Sequence, residues 1–185
     1  MKFSGTHVVA LLAAVIAGAA IWQGRSGRRG GAEGTAPALP YVDTKGVPHS
    51  LAAPAKPAVV VLWVTPCSYC RRAMNVMDRV RGLYSEDDLD VVGFYLNESD
   101  DAGIDSIASV EGHRFTMARG QPTWQYTDVL LKGFDFRGTG RDIYVLGRDG
   151  RYTAVDSSDF SVPDYAILQK IRILLTTKHG LKERA

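Results

Sequence analysis

Cys67-Ser68-Tyr69-Cys70 is the stretch of this 185-residue chain best suited to chemistry. Its two thiols are three residues apart, where an apolar run ends and an amphipathic one starts. A helix starting there presents unpaired N–H groups and a partial positive charge to Cys67, which favours its thiolate. The thiolate is the nucleophile of disulfide exchange, so a lower thiol pKa enlarges the reactive fraction at neutral pH. Cys70, one turn into the helix, is placed to attack a mixed disulfide and release the partner. Pro66 stiffens the turn ahead of Cys67 and keeps it at the rim.

Two plainer readings compete with redox chemistry. A four-residue ring is an inefficient staple, restraining the unfolded chain by roughly 2 kcal/mol against about 3 for a fifteen-residue loop. Two unrelated thiols rarely fall at this spacing and this junction. Two cysteines in total exclude a disulfide framework and a four-thiolate zinc site. A metal would need further ligands, and the histidines (His7, His49, His113, His179) are scattered. Only His49 and His113 fall where folding could bring one near the pair.

The elements that must hold the pair are legible on both sides of it. Ala58 to Val64 is a continuous apolar run, as expected of a strand buried on both faces. From Cys70 to Tyr84, Met74, Met77, Val80, Leu83 and Tyr84 recur at helical spacing, opposite Arg72, Asn75, Arg79 and Arg81. Val91 to Leu96 predicts a second buried strand, and Ile104, Ile107 and Ala108 a short helix. Tyr41–Asp43 and His49–Leu51 flank a plausible small hairpin. Asp142–Leu146 and Arg151–Val155 predict another, around an Asp149-Gly150 turn. Pro163 to Thr177 reads as a closing helix, with Ser161 available to cap it and Gly180 beyond its end. The stretch from Gly112 to Arg137 gives no clear pattern. The expectation is an α/β body with a mixed sheet flanked by helices.

The net charge of +2 belongs to the amino-terminal region. Four of the 22 basic side chains (Lys2, Arg25, Arg28, Arg29) and one of the 20 acidic ones (Glu33) fall in residues 1–40. That leaves 18 against 19, a net of −1, in residues 41–185. A body so close to neutral lacks the footprint of a nucleic-acid binder. Val8 to Trp22 is apolar throughout, but its fifteen residues reach only about 22 Å as a helix, against a hydrocarbon core of roughly 30 Å. Residues 1–22 read as a signal anchor or a cleaved signal peptide. Ala17-Gly18-Ala19 suits a signal peptidase, whereas Trp22 suits a membrane interface. The arginines after this run favour a cytoplasmic body on charge alone; the cysteine chemistry favours export, which is the expectation adopted. Residues 23–40, rich in Gly, Ala and Pro, read as a flexible linker, and residues 41–185 as the domain.

Trp63-Val64-Thr65-Pro66-Cys67-Ser68-Tyr69-Cys70-Arg71 resembles the active-site strand and helix of the thioredoxin superfamily. The lead-in from Tyr41 to Val64 and the later Ile143–Arg151 hairpin are similar to the membrane-anchored TlpA/ResA-type thiol–disulfide oxidoreductases. The resemblance implies a thioredoxin-like domain in which Cys67 attacks, Cys70 resolves, and Trp63, Pro66, Ser68 and Tyr69 shape the rim. It implies no organic cofactor, protein thiol or disulfide substrates, and a thiol electron-transfer partner. The implied place is the bacterial inner membrane with the domain in the periplasm or outside the cell, or secretion if the signal is cleaved.

The sequence departs from that pattern at several positions. Val61 stands where thioredoxins carry a buried Asp, and Ala73 and Asn75 where TlpA/ResA-type helices often carry Glu and Pro. The cis-proline expected before the later strand pair falls at Arg141, while Pro122-Thr123 is too far upstream. Arg141 either faces Cys67, where its fixed charge would favour the thiolate, or is solvated in a glycine loop. The chain also resembles the Sco-type copper chaperones, which share the scaffold and an anchor. Those use a wider cysteine spacing and a histidine ahead of the later strand, and Thr139-Gly140-Arg141 supplies none; copper belongs only to that alternative. A non-catalytic adaptor that keeps the pair is a third reading.

Overall fold

The computed structural model describes residues 32–43, 45–64, 67–97, 101–118, 124–136 and 143–184. In chain order these form β1 (Glu33–Thr35), β2 (Pro40–Val42), β3 (Pro48–Ser50), β4 (Ala58–Trp63), α1 (Ser68–Leu83), β5 (Asp90–Tyr95), α2 (Asp101–Glu111), β6 (Thr116–Met117), α3 (Trp124–Gly133), β7 (Ile143–Leu146), β8 (Arg151–Val155) and α4 (Asp164–His179). Six strands make one mixed sheet in the order β1-β8-β7-β4-β5-β6, and β2 and β3 pair as a separate hairpin. The β4–β5 and β5–β6 ladders are parallel, and the others antiparallel.

The two apolar runs are the middle of this sheet. Val59 pairs with Val91 on one side and Val145 on the other. Alternate residues of β4 then feed two cores. Val59, Val61 and Trp63 join Met74, Met77 and Val80 of α1 and Ile167 and Ile171 of α4. Val60 and Leu62 join Tyr41, Leu51, and Leu130 and Phe134 at and just beyond α3. With both faces covered, polar alternation has no place along the strand. Parallel strands need a crossover, and α1 is that crossover between β4 and β5. Its N-terminus, with Cys67, therefore lies beyond the C-terminal end of β4.

The expected linker and domain boundary require correction. Residues 33–35 pair with β8, Glu33 opposite Thr153 and Thr35 opposite Arg151, and Ala36 is buried. The compact unit runs from Ala32 rather than from Tyr41. This short edge strand has no periodicity of its own because its register is set by β8. The 112–137 stretch supplies β6 and α3. Ser161 does not cap α4: its N–H and hydroxyl are taken by Asp159, and Pro163 holds the N-cap position. The helix does end at Gly180, in the left-handed conformation at φ 67°.

The turn joining β7 to β8 depends on Gly150. Its φ is +72°, and a methyl group there would run into the Ala52 carbonyl. Gly150→Ala is expected to lower stability by about 3 kcal/mol, adding a backbone clash to the cost of positive φ. In thermal denaturation this is a fall in Tm of roughly 6–12 °C for a domain of this size.

Candidate active site

Cys67 and Cys70 form a disulfide, with their Cα atoms 5.2 Å apart. Cys67 is the N-cap of α1, with extended backbone (φ −154°, ψ 113°), and its Sγ accepts a hydrogen bond from the Cys70 N–H at 3.1 Å. Its carbonyl accepts the first helical bond, from Arg71 N–H at 3.0 Å. No acidic residue occupies the first turn. A thiolate at Cys67 thus takes the place of a capping oxygen, facing the positive end of the helix with no competing carboxylate from that turn. The two sulfurs are not equivalent in access. Cys67 is half-buried, whereas Cys70 is only 8% exposed and belongs to the core beneath α1.

Below the pair the site is apolar. Val61, at the position where the resemblance would place an acid, is fully buried. Trp63 is 2% exposed, so it supports the site from within the core rather than forming its rim. Its ring packs on Tyr95 with centroids 4.6 Å apart. Its Nε1 has no hydrogen-bond partner among the described residues. Gly93 makes room for the indole: a methyl there would sit 3.2 Å from Trp63 Nε1 and 3.0 Å from Met117 Sδ. Ser68 and Tyr69 are exposed on the first turn, while Pro66 and Arg141 lie outside the described residues.

Arg72 and Phe160, neither singled out by the sequence pattern, complete the surroundings. Arg72, expected on the solvated face of α1, is buried. Its Nε donates to Asp164 Oδ1 at 2.6 Å, and its other nitrogens donate to the carbonyls of Ser157 (3.1 Å), Asp159 (2.7 Å) and Val162. Arg81, also expected in solvent, is half-buried and donates to the Tyr84 and Leu89 carbonyls at the far end of α1. Phe160 covers Arg72, with the guanidinium carbon 5.3 Å from its ring centre, and packs on Tyr69 at 4.9 Å. The sequence signal for Arg72 is slight. Val76, one turn later on the same face, widens the buried stripe to include it.

His49 and His113 are engaged elsewhere. His113 Nδ1 lies 2.8 Å from Asp78 on α1. His49 lies 3.0 Å from Asp43 and stacks on Tyr41. Among the described residues no group of three or more His, Cys, Asp or Glu side chains is placed to hold a metal ion. No described helix is long and apolar enough to cross a membrane, and the expected anchor or signal, residues 1–22, lies outside the described residues.

No protein-family model matches the chain, and no curated protein matches it in sequence. Solved structures do match. A Bacteroides thetaiotaomicron protein assigned as a disulfide isomerase superposes with a TM-score of 0.59 at 15% identity, over 80% of this chain and 91% of its own. A secreted Mycobacterium tuberculosis disulfide oxidoreductase homologous to E. coli DsbE gives 0.54 at 16%, over 74% and 96%. BsSco, a member of the Sco family of cytochrome c oxidase assembly proteins, gives 0.56 at 12%, over 77% and 95%. The mixed sheet, its flanking helices and these superpositions identify the body of this chain as a thioredoxin-like fold.

Proposed function

We propose that this protein is a thiol–disulfide oxidoreductase that exchanges disulfides with protein substrates through Cys67 and Cys70. The observation that carries the reading is the asymmetry of the pair: Cys67 is accessible and capped by a helix N–H, while Cys70 is buried one turn behind it. In the reducing direction, the Cys67 thiolate attacks one sulfur of the substrate disulfide. A Cys67–substrate bond forms and the other substrate sulfur leaves as a thiolate, which takes a proton from solvent. Cys70, deprotonated, then attacks Cys67 Sγ, expels the second substrate sulfur and closes the Cys67–Cys70 disulfide. Two electrons pass from the dithiol to the substrate, and the opposite sequence oxidises a substrate dithiol. No organic cofactor is needed because the electrons reside in the dithiol, and a second thiol protein restores the starting state.

The reading includes an extracytoplasmic location, with residues 1–22 as membrane tether or cleaved signal. It is supported by the apolar Val8–Trp22 run, whose length and composition suit a tether or a signal. The reduced protein is expected to cleave insulin disulfides, ending with its own pair oxidised and one substrate disulfide opened per chain. A protein that leaves insulin intact and instead binds one copper ion tightly through both thiols would support the Sco-like alternative. That alternative draws on the likeness of fold to BsSco.

A further inference from the structure

Phe160 and Tyr69 form an exposed aromatic pair beside the disulfide, and its construction is costly for a surface feature. Tyr69 stands between the two cysteines and is 46% exposed, and Phe160 is 59% exposed. Their rings lie against each other with centroids 4.9 Å apart. Beneath Phe160, a buried guanidinium binds three backbone carbonyls of the 157–162 loop and the Asp164 carboxylate. Burying a cation to fix a loop whose own apolar tip stays in water adds nothing to the core. What it does provide is an apolar surface held against Tyr69, the residue between the two cysteines.

We propose that Phe160 is a specificity-determining residue: with Tyr69 it seats an apolar side chain next to the reacting cysteine of an extended protein substrate, and Arg72 holds it in register. The inference rests on the exchange reading and names the substrate class of that same site. The choice of an apolar occupant follows from charge and position. Arg72, the cation beneath Phe160, is paired with Asp164 and its other donors are spent on carbonyls, so it is not available to an acidic peptide. Val162, two residues along the same loop, is also exposed and apolar. A sulfur reaching Cys67 brings its own flanking residues over Tyr69, the neighbour on the exposed side of the helix turn. Aromatic rings already ordered by packing bind such a residue with little further loss of side-chain freedom.

The test compares two symmetric peptide disulfides, identical except that leucine or glycine adjoins the cysteine. Rates of exchange with the reduced full-length protein are followed by chromatography. The wild type is expected to prefer the leucine peptide by about tenfold, the scale of one partly buried aliphatic side chain. Phe160→Ser is expected to bring the two rates within about twofold, and Tyr69→Ala to do the same from the other ring. Val110→Ser, at an 85% exposed position on α2, keeps the tenfold preference. A wild type without preference, or a preference that survives both ring deletions, overturns the proposal. Exchange with neither peptide overturns the exchange reading itself, and this inference with it.

Discussion

Cys67→Ser lowers disulfide exchange by at least about a thousandfold, to near the protein-free rate, while Cys70→Ser accumulates a mixed disulfide with one substrate molecule per chain. The two outcomes differ because the two sulfurs have different surroundings. Serine at position 67 is a good N-cap, so Cys67→Ser keeps the Cys70 N–H satisfied and the helix intact. What it loses is the polarisable nucleophile. The remaining Cys70 is buried and cannot meet a substrate disulfide first. In Cys70→Ser the attacking sulfur and its cap both remain, so the first step proceeds and the second lacks its thiolate. Mass spectrometry of alkylated, non-reduced samples distinguishes the two. Trapping by Cys67→Ser and none by Cys70→Ser would reverse the assigned roles.

Arg72→Ala lowers stability by about 3 kcal/mol, a large loss for a residue on the charged side of an amphipathic pattern. Removing the guanidinium strips three carbonyls and Asp164 Oδ1 of their donor and leaves space beneath Phe160. Asp164 is about one-third exposed, so water takes over part of its share; the loss falls mainly on the carbonyls of the 157–162 loop. Arg72→Lys recovers only part of the stability, since one ammonium cannot reproduce a planar fork aimed at four acceptors. Urea denaturation of the oxidised proteins measures both variants with the disulfide held constant. A loss below about 1 kcal/mol for Arg72→Ala would mean that the latch is already hydrated and holds nothing.

The contrast between Arg72 and Cys67 shows where the sequence is informative. The redox pair and its two supporting elements are local. A continuous apolar strand, a helix period and a CxxC at their junction lie within 27 consecutive residues, Ala58 to Tyr84, and each can be read without knowing the fold. The β7–β8 hairpin is legible for the same reason, through Asp149-Gly150. Arg72 is not, because its partners are 85 to 92 residues away and three of them are backbone carbonyls, which carry no sequence signal. Strand β1 escapes detection because three residues among glycines and prolines borrow their register from β8. Trp63 falls within the Ala58–Val64 run that reads as a strand buried on both faces, and its 2% exposure agrees with that run rather than with the rim position the resemblance implies. The 112–137 stretch hides β6, whose two residues are too few to show a period.

As a redox pair, Cys67–Cys70 must open and close reversibly, which a structural staple does not. The direct measurement is its reduction potential, from the dithiol fraction in glutathione and dithiothreitol buffers of graded ratio. The expected result is a reversible two-electron transition between about −120 and −270 mV, the range of proteins that exchange disulfides. A pair that stays oxidised to below about −300 mV, as structural disulfides do, would contradict it.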